Sequence, residues 1–464
     1  MVILKIDRQA HLSPLHEIRG AVLNQIKQRL TFDNPAYLEA EKRGFYTGNI
    51  AKEIKGYQAK GDTLIIPRGF TQQLAGILNG AGILNGAGVR YQIQDNRRTL
   101  PDVAFAFQGE LRDFQTEAVE AMAARDFGTL AAPTGSGKTV MALALIARRR
   151  QPALIIIHTR ELLEQWKDRI QTFLGIPRQE IGQIGASKRT VGPRMTVALV
   201  QTLCKCADQV ALHIGHLVVD ECHRAPSRTF TEAVTAFDCR YMLGLSATPW
   251  RRDGLSRLIF WHLGDLVHRV DKAALVDAGH ILEAEVIWRE TDFEPTFDPS
   301  EEYSQMLSEL AQDHQRNCLI AEDVAREVGD DGEGVCLVLS DRKAQCEVLQ
   351  ELLAGHGIAA RLLTGDLSNG ERQQVVEALN GGQVKVLVAT GQLIGEGFDC
   401  PELSTLFLAT PIKFNGRLLQ YLGRVLRPAL GKDKARVFDY VDPVGVLENA
   451  ARARLRVYEG TAAG

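Results

Sequence analysis

At 464 residues the chain is too long for one hydrophobic core, and a soft allowance of roughly 150 residues per domain predicts about three domains. Its composition, 45% hydrophobic, 24% charged and 6% aromatic with a net charge of −3, is that of an ordinary globular protein. No apolar run approaches the roughly 20 residues of a membrane span, and Asp7, Arg8 and His11 arrive too early for a signal peptide, so no membrane partner and a cytoplasmic location are expected.

The charge is unevenly spread. Residues 1–105 hold 14 Lys and Arg against 9 Asp and Glu and carry +5, which leaves −8 for the remainder. A solvated surface is the common meaning of such a bias, and alone it decides nothing. The eight cysteines (Cys204, Cys206, Cys222, Cys239, Cys318, Cys336, Cys346 and Cys400) show neither a disulfide framework nor zinc-site spacing.

In chain order, residues 1–105 read as a small α+β module. Leu15, Ile18, Val22, Leu23 and Ile26 predict a helix over Pro14–Arg29, and Asp62–Ile66 reads as a strand ending in Pro67-Arg68-Gly69. Gly76–Ala81 is repeated in tandem by Gly82–Ala87, too few copies for a solenoid. Asn96–Pro101 reads as a linker. Beyond it, apolar runs at Thr129–Ala132, Ala153–His158, Met195–Val200, Leu217–Val219 and Tyr241–Leu245 alternate with helical stretches, as strands covered on both faces do. A second series follows at Val335–Leu339, Arg361–Leu363, Val384–Val388, Leu403–Leu408 and Arg436–Val441. The acidic stretch Thr291–Glu302, with Pro295 and Pro299, reads as a connector. The expected domains are 1–105, 106–283 and 284–464: two parallel-sheet α/β lobes behind the N-terminal module.

Ala132-Pro133-Thr134-Gly135-Ser136-Gly137-Lys138-Thr139 follows one strand and opens a helix. Gly135 and Gly137 let backbone N–H groups face a polyphosphate. Lys138 would reach the β/γ-phosphates, and Thr139 would offer its hydroxyl to Mg²⁺. The loop by itself says only nucleotide. Asp220-Glu221 ends a later strand, Asp220 placed to hold Mg²⁺ and Glu221 to orient the attacking water, which favours hydrolysis over binding. Arg424 and Arg427 would share a face of a helix from Gly416 to Pro428, as arginine fingers or as a basic surface.

Taken together these residues resemble a superfamily 2 helicase over roughly residues 107–428. Ala132–Thr139 looks like motif I, Asp220–His223 like a DExH motif II, Ser246-Ala247-Thr248-Pro249 like motif III, Gly395–Pro401 like motif V and Gln420–Arg427 like motif VI. Leu111-Arg112-Asp113-Phe114-Gln115 resembles the adenine-contacting element. The resemblance implies two RecA-like lobes and a nucleic-acid-dependent ATPase that uses ATP and Mg²⁺. It implies nucleotide contacts from Arg112, Gln115, Thr134, Gly135, Ser136, Gly137, Lys138, Thr139, Gly397 and Asp399. Catalytic roles fall to Lys138, Glu221, Gln420, Arg424 and Arg427, metal binding to Thr139 and Asp220, and coupling to His223, Ser246 and Thr248.

A nucleic-acid track is implied at Arg160, Thr202, Ser340, Thr364 and Thr390, where strand-end hydroxyls and helix starts suit a phosphodiester backbone, although each is equally a plausible helix cap. The branch most similar contains XPB and UvsW, whose members act on duplex, forked or branched DNA through a small DNA-engaging N-terminal domain. The +5 charge of residues 1–105, with Phe45, Tyr46, Tyr57, Phe70 and Tyr91, suits that role. Arg251-Arg252-Asp253 stands where XPB carries Arg-Glu-Asp and departs at the middle residue. The expected function is an ATP-dependent DNA helicase or duplex translocase moving 3′ to 5′. The alternatives are an RNA helicase and a nucleic-acid-gated switch subunit working beside a nuclease or other protein partner.

Overall fold

The computed structural model describes residues 1–80, 88–224, 228–247, 255–330, 334–395, 400, 402–412, 415–428, 432 and 435–462. The second copy of the tandem repeat, Thr248, Arg251-Arg252-Asp253, Gly397, Asp399 and the side chain of Gln420 lie outside the described residues. The chain forms two compact units: Met1–Ala132 with Gly137–Val270, and Asp271–Gly464 with Pro133–Ser136.

The first unit holds an eight-stranded sheet in the order Lys188–Thr190, Gly182–Gly185, Met195–Leu199, Ala153–Ile157, His216–Val219, Tyr241–Ser246, Phe127–Ala131, Leu266–Arg269. Every pairing is parallel except that of the first two strands. Ala153–Ile157 reads ALIII and is buried at all five positions, as a strand with helices on both faces must be. The second unit carries a six-stranded, wholly parallel sheet in the order Ala284–Glu290, Ala435–Val441, Leu403–Leu408, Val335–Ser340, Val386–Thr390, Ala360–Leu363. The expected architecture of two RecA-like parallel-sheet lobes behind a small α+β element is what the chain adopts.

The N-terminal element is a mixed five-stranded sheet, Gln58–Lys60, Thr63–Pro67, Gln9–Ser13, Val2–Ile6, Tyr91–Asp95, backed by the helices Gly20–Arg29 and Thr71–Leu78. Its core includes Trp261, which comes from the helix Ser256–Leu263 of the large sheet's own domain. Phe32 packs on that indole with ring centroids 5.5 Å apart, and a Cβ at Gly56 would stand 2.6 Å from the indole carbons. Arg68, 3% exposed, donates to the carbonyls of Cys239 at 2.8 Å and Asp7 at 3.2 Å. The stretch expected to be a linker is stapled down: Arg98 bridges Cys239 in parallel and its guanidinium meets Asp238 at 2.8 Å, while Arg97 meets Asp126 at 2.8 Å. Those ion pairs hold Asn96–Pro101 against the sheet.

Two further expectations change. Leu15–Glu17 forms a single 3-10 turn and the helix proper begins at Gly20, because Asp62 accepts the N–H groups of Leu15 and His16 and Ile18 is extended. The stretch Thr291–Glu302 is no free connector. Thr291 donates to Asp442 at 2.6 Å, and Phe293 lies in a core with Met306, Leu310, Val444 and Leu447.

Candidate nucleotide-hydrolysis site

In a parallel sheet all strands deliver their C-terminal ends to one edge, where ligands bind. Register places Ala131 beside Ser246, and Gly244 beside Val219. The phosphate loop, the Ser246 turn and the Asp220-Glu221 pair therefore leave three adjacent strands on the same edge. At the usual ~4.8 Å between strands, the loop's strand lies about 10 Å from the acidic pair's.

The loop turns through Gly135 and Gly137 at φ of 90° and 85°, a region that L side chains avoid. Gly137 caps the helix Lys138–Arg149, whose first N–H groups have no carbonyl partner within the helix. A Cβ at Gly137 would come within 2.5 Å of the Gln115 amide nitrogen, a close approach beside the φ of 85° that already favours glycine. Gln115 is buried, and its carbonyl oxygen accepts the Arg112 N–H at 3.0 Å in a capping box that starts the helix Asp113–Ala123. The putting together of Arg112 and Gln115 with the loop is thus a helix-cap geometry. Ser136 Oγ donates to the Pro133 carbonyl at 2.7 Å, and Lys138 Nζ donates to the Ala132 carbonyl at 3.1 Å, curled over its own loop. Thr139 follows in the first turn of that helix.

Asp220 is 7% exposed and receives the Trp166 indole N–H at 2.8 Å and the Glu221 backbone N–H at 2.9 Å. Burial pushes its carboxyl up to about 6 and the adjacent Glu221 charge adds to this, while the indole bond and Lys138 oppose the rise. Glu221 is held at φ 47°, an uncommon backbone for a side chain of its size. His223 Nδ1 lies 3.2 Å from Glu221 Oε2 and 3.1 Å from Ser246 Oγ. One imidazole therefore ties the acidic pair to the neighbouring strand end. Cys222, between them, points into the apolar core.

The donor set fits a magnesium nucleotide. Burial first and the neighbouring Glu221 charge second raise the Asp220 carboxyl, and a bound cation would relieve both. Magnesium is ordinarily taken by one or two carboxylates plus substrate phosphates, not by an all-protein cage. Among the described residues no cluster of three or more His, Cys, Asp or Glu forms such a cage.

Residues 108–251 match the family model "Type III restriction enzyme, res subunit", and residues 317–429 match "Helicase conserved C-terminal domain". The chain is 27% identical to the putative DNA 3′-5′ helicase Rad25 of Halobacterium salinarum, over 79% of this chain and 60% of that protein. It is also 27% identical to the DNA 3′-5′ translocase XPB2 of Sulfurisphaera tokodaii, over 75% and 84%. The chain is a superfamily 2 helicase, most like the XPB branch. Its fold is similar to S. cerevisiae Dbp5 bound to RNA and ADP BeF3, with a TM-score of 0.53 and 15% identity over 75% of this chain and 87% of that one.

As a helicase it is a nucleic-acid-dependent ATPase, and its remaining motif residues are distributed as follows. In the second unit the motif VI helix spans Asn415–Val425, so Arg424 lies in its last turn and Arg427 beyond it. They do not share a helical face as expected. Arg427 N–H turns back to the Arg424 carbonyl at 3.3 Å, Pro428 follows, and Lys432 donates to the carbonyls of Val425 at 2.5 Å and Arg427 at 2.7 Å. Burial lowers the Lys432 ammonium to about 8. Arg160 is exposed at the start of a helix whose cap, Thr159, accepts the Leu162 N–H at 3.4 Å. Thr202, in the short helix Val200–Leu203, and Thr390, the last residue of its strand, are half-buried, and Thr364 is buried. Ser340 is withdrawn from the track: it is 1% exposed, and its hydroxyl is taken up by Gln345 at 2.7 Å and Thr410 at 2.9 Å. No helix among the described residues is long and apolar enough to cross a membrane.

Trp166 escaped the sequence reading. Its signal was a tryptophan in a helix directly after the motif Ia turn, since a buried indole N–H needs an acceptor.

Proposed function

We propose that this helicase is an ATP-driven DNA motor, a helicase or duplex translocase moving 3′ to 5′. The observation that carries the hydrolytic part is the Asp220-Glu221 pair set two strands from Lys138 on one sheet edge, with His223 and Ser246 holding Glu221. The names of the Rad25 and XPB2 relatives support DNA as the track and the direction of movement.

In this reading Gln115 and Arg112 hold the adenine edge, and the Thr134–Gly137 backbone with Lys138 holds the phosphates. Thr139 and Asp220 would hold Mg²⁺, which when bound neutralises phosphate charge. Glu221 accepts the proton of the attacking water, and His223, whose Nδ1 lies 3.2 Å from Glu221 Oε2 and 3.1 Å from Ser246 Oγ, helps to fix its position. Arg424 and Arg427 answer charge on the γ-phosphate; such cations are worth roughly 10³–10⁵ in rate where they have been isolated. Arg160, Thr202, Thr364 and Thr390 contact the backbone of the track, with residues 1–105 as a further nucleic-acid-binding element.

The test is ATPase activity with matched single-stranded, duplex, forked and four-way DNA and with RNA. DNA should stimulate turnover more than RNA of the same sequence. Glu221→Gln should retain nucleotide binding and lose at least about a hundredfold in turnover, the scale of one general base. Full turnover in that variant would sink the assignment, and preferential stimulation by RNA would replace DNA as the track.

A further inference from the structure

Of the aromatic residues that accompany the positive charge of residues 1–105, Phe70 is 1% exposed, and Tyr57 and Tyr91 pack against the N-terminal core. Phe45 and Tyr46 do the opposite, at 64% and 81% exposed. Trp288 and Phe297, the other large aromatics prominent at the surface among the described residues, reach only 38% and 37%. A single exposed aromatic needs no explanation, but two adjacent rings left in water form an apolar surface without a covering element.

Nor is the segment that bears them loosely tethered. Strands Thr31–Asp33 and Glu53–Lys55 pair antiparallel and form the neck of an excursion. Asn34 closes the neck, its N–H reaching the Lys52 carbonyl at 2.8 Å and its side-chain amide the Ala51 carbonyl at 2.8 Å. The helix Pro35–Lys42 ends in a Schellman turn: Gly44 at φ 70° donates to the Glu41 carbonyl at 3.0 Å, and Phe45 to the Ala40 carbonyl at 2.8 Å. The residue in the place of Phe45 ordinarily folds its side chain back onto the helix. Here it faces water. The hydroxyl end of Tyr46 reaches back to Gly48, where a Cβ would stand 2.0 Å from it, while the side chain as a whole stays in water. From 42 to 52 the chain carries Lys42, Arg43 and Lys52 and no acid, although Arg43 also pairs with Glu39 outside that span at 2.5 Å.

We infer that this tip is a base-stacking site, which takes unpaired or terminal bases where a nucleic-acid strand leaves its duplex. Exposed aromatic rings stack on bases of any sequence, and nearby ammonium groups meet the adjoining phosphates. A protein partner would want a larger apolar patch. The inference rests on the nucleic-acid reading above and gives it a specific contact for strand junctions.

The test uses the full chain and a forked DNA with 2-aminopurine at the first unpaired base. Binding should change the 2-aminopurine fluorescence, and F45A/Y46A should abolish that change and weaken fork binding roughly tenfold or more. The slope of affinity against salt should stay as in the wild type, because no phosphate contact is lost, whereas K42Q/K52Q should lower that slope. F45Y/Y46F should bind as the wild type does, and an unaltered thermal melt of F45A/Y46A would place the loss in the contact and not in folding. Fork affinity within twofold of wild type in F45A/Y46A, or no fluorescence response in the wild type, overturns the site. The two readings fail separately. DNA-stimulated ATPase with indifferent tip variants sinks the tip alone, and a 2-aminopurine response without any stimulated ATPase sinks the motor alone.

Discussion

Asp220 and His216 stand at opposite ends of one short strand, both out of water, and burial moves their protons in opposite directions. The Asp220 carboxyl is raised to about 6, so its contribution to stability is lost as pH climbs from the ordinary carboxylate range through 6. Burial, with Arg149 beside it, holds the His216 imidazole well below its ordinary 6.5. Arg149 donates to its Nε2 at 2.8 Å, which leaves that nitrogen as an acceptor, and the Tyr241 ring lies edge-on at 6.0 Å. The unfolded chain therefore takes up the proton first. Stability is intact above 6.5 and falls below it, by up to about 1.4 kcal/mol per pH unit from this one group. His216→Gln should be less stable at pH 7.5 but lose less between pH 7.5 and 5.5 than the parent, in urea melts at both values. An equal loss in the two proteins would show that His216 does not titrate on unfolding.

At the scale of elements, helix ends carry the chemistry. The phosphate-loop helix begins at a glycine whose φ of 85° no other residue adopts cheaply, and its first N–H groups lie beyond the reach of the helix's own carbonyls. The motif VI helix stops at Val425, where Lys432 holds its final carbonyls, so Arg424 is borne on regular helix and Arg427 on the turn after it. Unequal roles follow. Arg424→Ala should cut nucleic-acid-stimulated hydrolysis by about 10³-fold or more while ATP affinity changes far less, measured by steady-state ATPase beside nucleotide binding. A matching loss of affinity would make Arg424 a ground-state binding residue.

For the whole molecule, the N-terminal element and the large sheet share a core, because Trp261 of the helix Ser256–Leu263 is buried among Ile26, Phe70 and Leu74. That helix lies downstream of the Ser246 strand end, in the same stretch of chain as the third motif. Trp261→Ala should cost about 3–5 kcal/mol and destabilise residues 1–105 together with the sheet, as one transition in urea followed by hydrogen exchange. Loss of protection confined to residues 1–105 would mean that the two fold independently. The fixed attachment also gives the Phe45–Tyr46 tip a rigid base.

Most of both parallel sheets was legible from residue order alone, since strands buried on two faces must be continuous apolar runs, and the strand-end positions of the glycine loop and the acidic pair were legible because phosphate chemistry would demand particular residues at short spacing. What the linear order could not show is where side chains from distant segments meet. Ser340 has the hydroxyl a phosphodiester contact needs, and only its closure against Gln345 and Thr410 removes it. Asn96–Pro101 has a linker's composition, yet Arg97 and Arg98 find Asp126 and Asp238. Trp166 became a partner of Asp220, and five aromatics of equal standing in the sequence were sorted into core and exposed tip. Local chemistry is written in spacing; burial and long-range pairing depend on which surfaces the folded chain brings together.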